Sequence, residues 1–272
     1  ALAQDEEKLN KVSKQILDAR KVIISACGTS RHASLVGRYV FQKMTGKHLE
    51  VIMSSEYGYF ADQADANTLV IAVSQSGETA DVLDGVKKAK AKGARIISIV
   101  NTVGSTLTRL SDETIYLNCG TEIGVAATKT FMSQLIVFYQ LAFAASGQLK
   151  HFRKKLLDLS PIVQEQLEYS KPKAQKIAKW ISTKQHAYYL GRGINFALAL
   201  EGSLKLKEIS YVHAEGMPAG ELKHGTIALI EKDTPVVLIN PQDYTFHDSL
   251  SNALETKARG ATIVGISDKE ND

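Results

Sequence analysis

Leu69-Val-Ile-Ala-Val73 runs directly into Ser74-Gln75-Ser76-Gly77-Glu78-Thr79, and a helical pattern follows over 79–92, ending at Gly93. Five consecutive apolar residues without alternation fit a strand buried on both faces, the signature of a parallel sheet. The same grammar extends outward in both directions. Upstream, an amphipathic helix over 5–20 precedes a strand at 22–26, a helix at 31–45, a strand at 48–53 and a short helix at 54–61. Downstream come strands at 95–100 and 114–117 and a long apolar helix at 125–146. Strands alternating with helices of this length predict an α/β fold with a parallel sheet covered on both sides.

Residues 148–183 are charged and helical and read as a connection. The alternation then resumes: strand 187–190, helix 194–210, strand 235–239, helix 243–258, strand 261–266. The second series echoes the first. Val22-Ile-Ile-Ser-Ala-Cys-Gly28 resembles Tyr188-Tyr-Leu-Gly-Arg-Gly193, and the strand before Ser74 is matched by the strand before Asn240-Pro-Gln-Asp243. The expected organisation is one complete unit at 1–147, the connection at 148–183, and an incomplete second unit at 184–272.

Composition narrows the functional class. The chain has 272 residues, 44% hydrophobic and 23% charged, with 33 Lys and Arg against 29 Asp and Glu. That balance belongs to a globular protein rather than a disordered one. A net charge of +4 is too mild and too evenly spread for a nucleic-acid binder. Two cysteines, Cys27 and Cys119, do not make a disulfide scaffold and fit a reducing cytoplasm. The apolar run 135–145 is broken by Gln140 and is shorter than a bilayer requires, so no membrane span is expected. No signal peptide is expected, and an N-terminal Ala rather than Met suggests a longer parent chain.

The 74–79 segment sits where a buried strand meets a helix start, the ligand end of a parallel sheet. A helix N-terminus offers unpaired N–H groups to an anion, and three hydroxyls, an amide and a glycine surround it here. The competing reading is a simple helix cap by Ser76 or Thr79. Cys27-Gly28-Thr29-Ser30 occupies an equivalent turn, and Ser30 can reach the same ligand. Cys27 reads as a small filler closing its strand. In the second unit Pro241 removes an N–H and Asp243 repels phosphate, so one anion site is expected, in the first unit.

The other dense segment is Glu201 to Gly225. On a helix, Glu201, Lys205 and Glu208 share a face. A salt-bridged solvated face is the plain explanation. A carboxylate, an amine and an imidazole together, with His213 and His224 close by in sequence, also suit proton transfer beside a carbonyl.

Cys27-Gly-Thr-Ser30, Ser74-Gln-Ser-Gly-Glu-Thr79, Gly120-Thr-Glu-Ile-Gly-Val-Ala-Ala-Thr-Lys129, Leu204-Lys-Leu-Lys-Glu-Ile-Ser-Tyr-Val-His-Ala-Glu215 and Gly220-Glu-Leu-Lys-His-Gly225 resemble, in order and spacing, the isomerase half of the glutamine:fructose-6-phosphate amidotransferases, or glucosamine-6-phosphate synthases. The resemblance runs from about residue 21 to the end. It implies a flavodoxin-like sugar-isomerase (SIS) fold. It implies that Ser74, Gln75, Ser76, Thr79 and Ser30 bind the 6-phosphate of a hexose such as fructose, glucose or glucosamine 6-phosphate. Thr29, Val125 and Ala127 would line the sugar. Glu208 would be the base moving a proton between C1 and C2, Lys205 its assistant, and His224 the group linked to ring opening, reaching the neighbouring subunit of a homodimer. No metal or cofactor is implied. A glutaminase domain is expected in the full-length protein but not in this chain, and the family's C-terminal tail is also missing. Two other readings stand beside this one: a SIS-fold sugar-phosphate deaminase or deglycase, against which the 204–225 block argues, and a non-catalytic sugar-phosphate sensor, which would not need Glu208, Lys205 and His224.

Overall fold

The computed structural model describes residues 1–268. The chain divides into two compact units, Ala1–Ser160 and Pro161–Asp272.

The first unit opens with α1 (Glu6–Asp18), whose N-cap Asp5 accepts the N–H groups of Glu7 and Lys8. Its Leu9, Val12 and Ile16 are buried, the helical spacing of one apolar face. The chain then runs through β1 (Lys21–Ala26), α2 (Gly28–Thr45), β2 (Glu50–Met53) and α3 (Ser54–Tyr57). After a 3₁₀ turn at Ala61–Gln63 come β3 (Thr68–Ser74), α4 (Ala80–Ala91), β4 (Arg95–Val100), α5 (Thr106–Leu110), β5 (Glu113–Tyr116) and α6 (Lys129–Ala145). The strands form one parallel sheet in the order β2-β1-β3-β4-β5. β3, buried at every position, pairs with β1 on one side and β4 on the other. Ile23, Val70, Ile96 and Val100 pack with Val82 and Val86 of α4 and Leu107 of α5.

The sequence reading differs from the structure here in four places, the first being that α2 begins at Gly28 rather than 31, which puts Thr29 and Ser30 in its first turn. The helix expected over 54–61 is a single turn followed by the 3₁₀ turn. The short helix α5 went unanticipated. The long helix begins at Lys129 rather than 125, because residues 118–128 form a loop.

α7 runs unbroken from Leu149 to Ile181 with Pro161 and Pro172 inside it. Each proline removes one intrahelical hydrogen bond. The second unit continues with β6 (His186–Gly191), α8 (Ile194–Ser210) and β7 (His213–Pro218). Two 3₁₀ segments, Ala219–His224 and Thr226–Leu229, lead to β8 (Pro235–Ile239), α9 (Phe246–Ala258) and β9 (Thr262–Ile266). This sheet is also parallel, ordered β7-β6-β8-β9. Its core gathers Tyr188, Leu190, Met217, Val236 and Leu238 under Ala253. β7 was not anticipated: His-Ala-Glu-Gly-Met-Pro contains no β-branched residue. The proposed second unit ends at 272, and its last four residues lie outside the described ones. Among the described residues, no helix is long and apolar enough to cross a membrane.

Candidate functional site

β3 delivers Ser74 as its last, buried residue, at the carboxyl end of the sheet. The loop that follows is closed on itself. Ser74 Oγ accepts the Gly77 N–H at 3.1 Å and lies 2.9 Å from Thr79 Oγ1. Ser76 Oγ accepts the Glu78 N–H at 3.2 Å. Gly77 makes the reversal with φ +67°, and a Cβ there would fall on Ser105 Oγ. The backbone is pinned from outside as well: Asn101 N–H donates to Gln75 O, and Leu107 N–H to Gly77 O, both at 3.0 Å.

Glu78 points away from the loop and accepts the Thr106 N–H at 2.6 Å. That hydrogen bond, reinforced by the Thr106 side chain and the Arg109 charge and opposed by slight burial, holds the carboxyl below its ordinary value.

Thr79 stands at the N-cap position of α4, yet its side chain makes no capping bond; it turns to Ser74 instead. The cap reading of this loop therefore does not describe Thr79. α2 likewise starts without a side-chain cap, after Cys27. Thr29, Ser30, Ser74, Gln75, Ser76, Thr79 and Ala127 line one cavity of about 210 Å³, together with Cys27 and Val73. Two uncapped helix starts and five hydroxyls thus face one small space. Such a lining suits an anion with several acceptor oxygens.

Cys27 is half-buried and lines this cavity, which the filler reading had not placed there. Val125 lies outside the lining, 88% exposed in the loop before α6. That loop is held by Glu122. Its Oε2 accepts from Thr130 N–H at 3.0 Å, Thr130 Oγ1 at 2.6 Å and Thr128 N–H at 3.3 Å. Burial alone would raise the Glu122 pKa, but these bonds and the nearby Lys129 bring it below its ordinary value.

Gln134, one turn into α6 and fully buried, donates from Nε2 to Ser30 Oγ at 2.8 Å. Sequence reasoning passed over both Glu122 and Gln134. The available signal for Gln134 was an amide, one of two with Gln140, inside a largely apolar helix.

In the second unit Lys205 Nζ stands 2.5 Å from Glu208 Oε2 and 3.4 Å from Glu201 Oε1. The pairing follows from i,i+3 and i,i+4 spacing on α8. It is not a solvated face, because Glu201 is 6% exposed and Lys205 and Glu208 side chains are about one-fifth exposed. His224 is on a different element, ending a 3₁₀ segment, and is exposed. At the turn equivalent to the serine loop, Asp243 accepts from Asn195 Nδ2 at 3.0 Å and from Thr245 Oγ1 at 2.7 Å. A carboxylate occupies the place where the first unit presents hydroxyls.

The pattern that defines the SIS domain family matches residues 15–144 and 180–272. The glutamine–fructose-6-phosphate aminotransferase [isomerizing] of Thermococcus kodakarensis is 45% identical over 99% of this chain, which covers 46% of that protein. The Pyrococcus horikoshii enzyme of the same name is 46% identical over 95% of the chain and 44% of its own length. The chain spans about half the length of these relatives. The solved C-terminal domain of glucosamine-fructose-6-phosphate aminotransferase from Francisella tularensis superposes with a TM-score of 0.89 at 32% identity, covering 98% of this chain and 82% of that one. The parallel sheets, the repeated unit and these matches together place the chain in the SIS domain family, within the branch formed by the isomerase domain of the glutamine–fructose-6-phosphate aminotransferases.

Proposed function

We propose that this chain is the sugar-handling part of a glucosamine-6-phosphate synthase. It binds fructose 6-phosphate and, with ammonia, converts it to glucosamine 6-phosphate. The observation that carries the reading is the cavity lined by Thr29, Ser30, Ser74, Gln75, Ser76 and Thr79. In this reading the phosphate sits at the start of α4, held by the hydroxyls of Ser76, Thr79 and Ser30 and by Gln75. Thr29 and Ala127 flank the sugar, and the loop bearing Val125 borders it. A phosphate monoester needs several donors, and hydroxyls supply them without a permanent counter-charge.

Glu208 is the proposed base that carries a proton between C1 and C2 of the open-chain sugar imine. Lys205, 2.5 Å from it, is the proposed partner that orients the carboxylate and balances its charge. His224 is proposed to serve ring opening, across the interface of a homodimer. Glutamine hydrolysis would belong to a separate glutaminase domain of a longer protein, and the setting is the cytosol.

Calorimetry with glucose 6-phosphate tests the placement. Replacing Ser76 and Thr79 together by Ala removes hydroxyl bonds to a charged oxygen, each worth about 1.5–3 kcal/mol. Affinity should fall by about 100-fold or more; unchanged affinity would overturn the site. Sedimentation at micromolar protein tests the dimer, and a clean monomer would refute it.

A further inference from the structure

We infer that Gln134 is a positioning residue that sets the hydrogen-bonding polarity of the Ser30 hydroxyl in the cavity. The inference rests on the proposed sugar-phosphate site and extends it beyond the residues that touch the ligand.

The observation is a buried amide used at one end. Gln134 is 0% exposed on α6, and its Nε2 donates to Ser30 Oγ at 2.8 Å. Its Oε1 is buried without a hydrogen-bond partner among the described residues. An unpaired buried acceptor costs stability. Leu or Met would fill the same space without that cost, and the neighbours of Gln134 on α6 are largely apolar. An amide that carries this cost points to work done by its other end.

That work follows from the chemistry of a hydroxyl. Ser30 Oγ has one proton to donate and two lone pairs. The amide N–H engages a lone pair from the α6 side. The Ser30 proton cannot also point at Nε2, so it is directed elsewhere. Ser30 lines the cavity beside Ser76 and Thr79. Its hydroxyl is thereby biased to donate into that space, which an oxyanion accepts and a hydrogen-bond donor does not. Gln134 itself does not line the cavity. Its effect on a ligand passes entirely through Ser30.

The test is a double-mutant cycle on glucose 6-phosphate affinity, by calorimetry, with Gln134→Met, Ser30→Ala and the double variant. Gln134→Met keeps length and burial, so the melting temperature should hold or rise while affinity falls by about three- to tenfold. In the Ser30→Ala background the same change should alter affinity by less than about twofold. Gln134→Glu is the second probe. Its carboxylate only accepts, so it turns the Ser30 proton away from the cavity, and affinity should fall further than in Gln134→Met.

Equal losses in both backgrounds, or no loss in Gln134→Met, overturn the positioning role. So does a Gln134→Glu variant that binds as well as wild type. Ser76→Ala serves as the separate control on the phosphate site. If it loses affinity while the cycle shows no coupling, the phosphate site stands and the Gln134 role falls. If it loses none while Gln134 and Ser30 remain coupled, the positioning role stands and the phosphate has been put at the wrong group.

Discussion

Ser74 Oγ and Thr79 Oγ1 lie 2.9 Å apart, joining the last residue of β3 to the residue before α4. The strand end and the helix start are therefore tied by a side-chain hydrogen bond as well as by the chain between them. The same Ser74 oxygen accepts the buried Gly77 N–H. Ser74→Ala removes both bonds and leaves that N–H without its acceptor. The expected loss is about 1–3 kcal/mol, read as a shift in the urea midpoint with the slope unchanged.

Glycine at 77 is required twice over, by its φ of +67° and by Ser105 beside it. Gly104 has a similar φ of +73° but open space around its Cβ position. Gly104→Ala should cost about 1–2 kcal/mol from the left-handed backbone alone. Gly77→Ala should cost clearly more, and adding Ser105→Gly should recover part of the difference. Urea unfolding of the three variants measures this. Equal costs for the two glycine changes would refute the steric argument.

The Glu78 carboxyl is held below its ordinary value of 4.5, chiefly by the Thr106 N–H. A group whose folded pKa is depressed contributes stability that is complete above its unfolded value and is lost as pH falls through the folded one. The tether between the serine loop and α5 should therefore weaken below about pH 4.5. Glu78→Gln should flatten that part of the stability–pH curve and leave stability near neutrality slightly lower. Thermal melts from pH 3 to 7 would show it.

Lys205 stands between two acids, one of them nearly buried. Lys205→Met leaves Glu201 and Glu208 facing each other without the amine. Removing one member of a fully buried pair costs about 3–5 kcal/mol, so this partly buried cluster should lose about 1–3 kcal/mol. Adding Glu201→Gln should restore much of it. If Lys205→Met is as stable as wild type, the cluster is solvated after all.

Glu208 can be tested on the chemistry itself. In a protein extended to the length of the relatives, Glu208→Gln should slow exchange of the C1 or C2 proton of bound sugar by about 100-fold. Phosphate binding should barely change, because the first unit is untouched. Deuterium wash-in followed by NMR reads the rate. Equal rates in both proteins would make Glu208 an ion-pair partner and nothing more.

What the sequence alone determined is whatever short-range pattern encodes. The unbroken apolar run 69–73 and the largely apolar run 96–100, interrupted only by Ser98, fit strands covered on both faces, and they became β3 and β4, side by side in a parallel sheet. The turn after a buried strand, rich in hydroxyls, identified the ligand end. Tertiary structure decided whatever depends on partners distant in the chain. β7 has no strand signal of its own and exists because β6 offers it a ladder from His186 to Gly191. α6 begins at Lys129 because the Glu122 carboxylate takes the N–H groups of Thr128 and Thr130. The Thr79 hydroxyl turns to Ser74 rather than to its own helix, and Gln134 meets Ser30 from 104 residues away. Periodicity reports which face of an element is buried, because burial repeats with the local geometry of the backbone. A single hydrogen bond has no period, so which oxygen a buried amide meets is settled only when the elements pack.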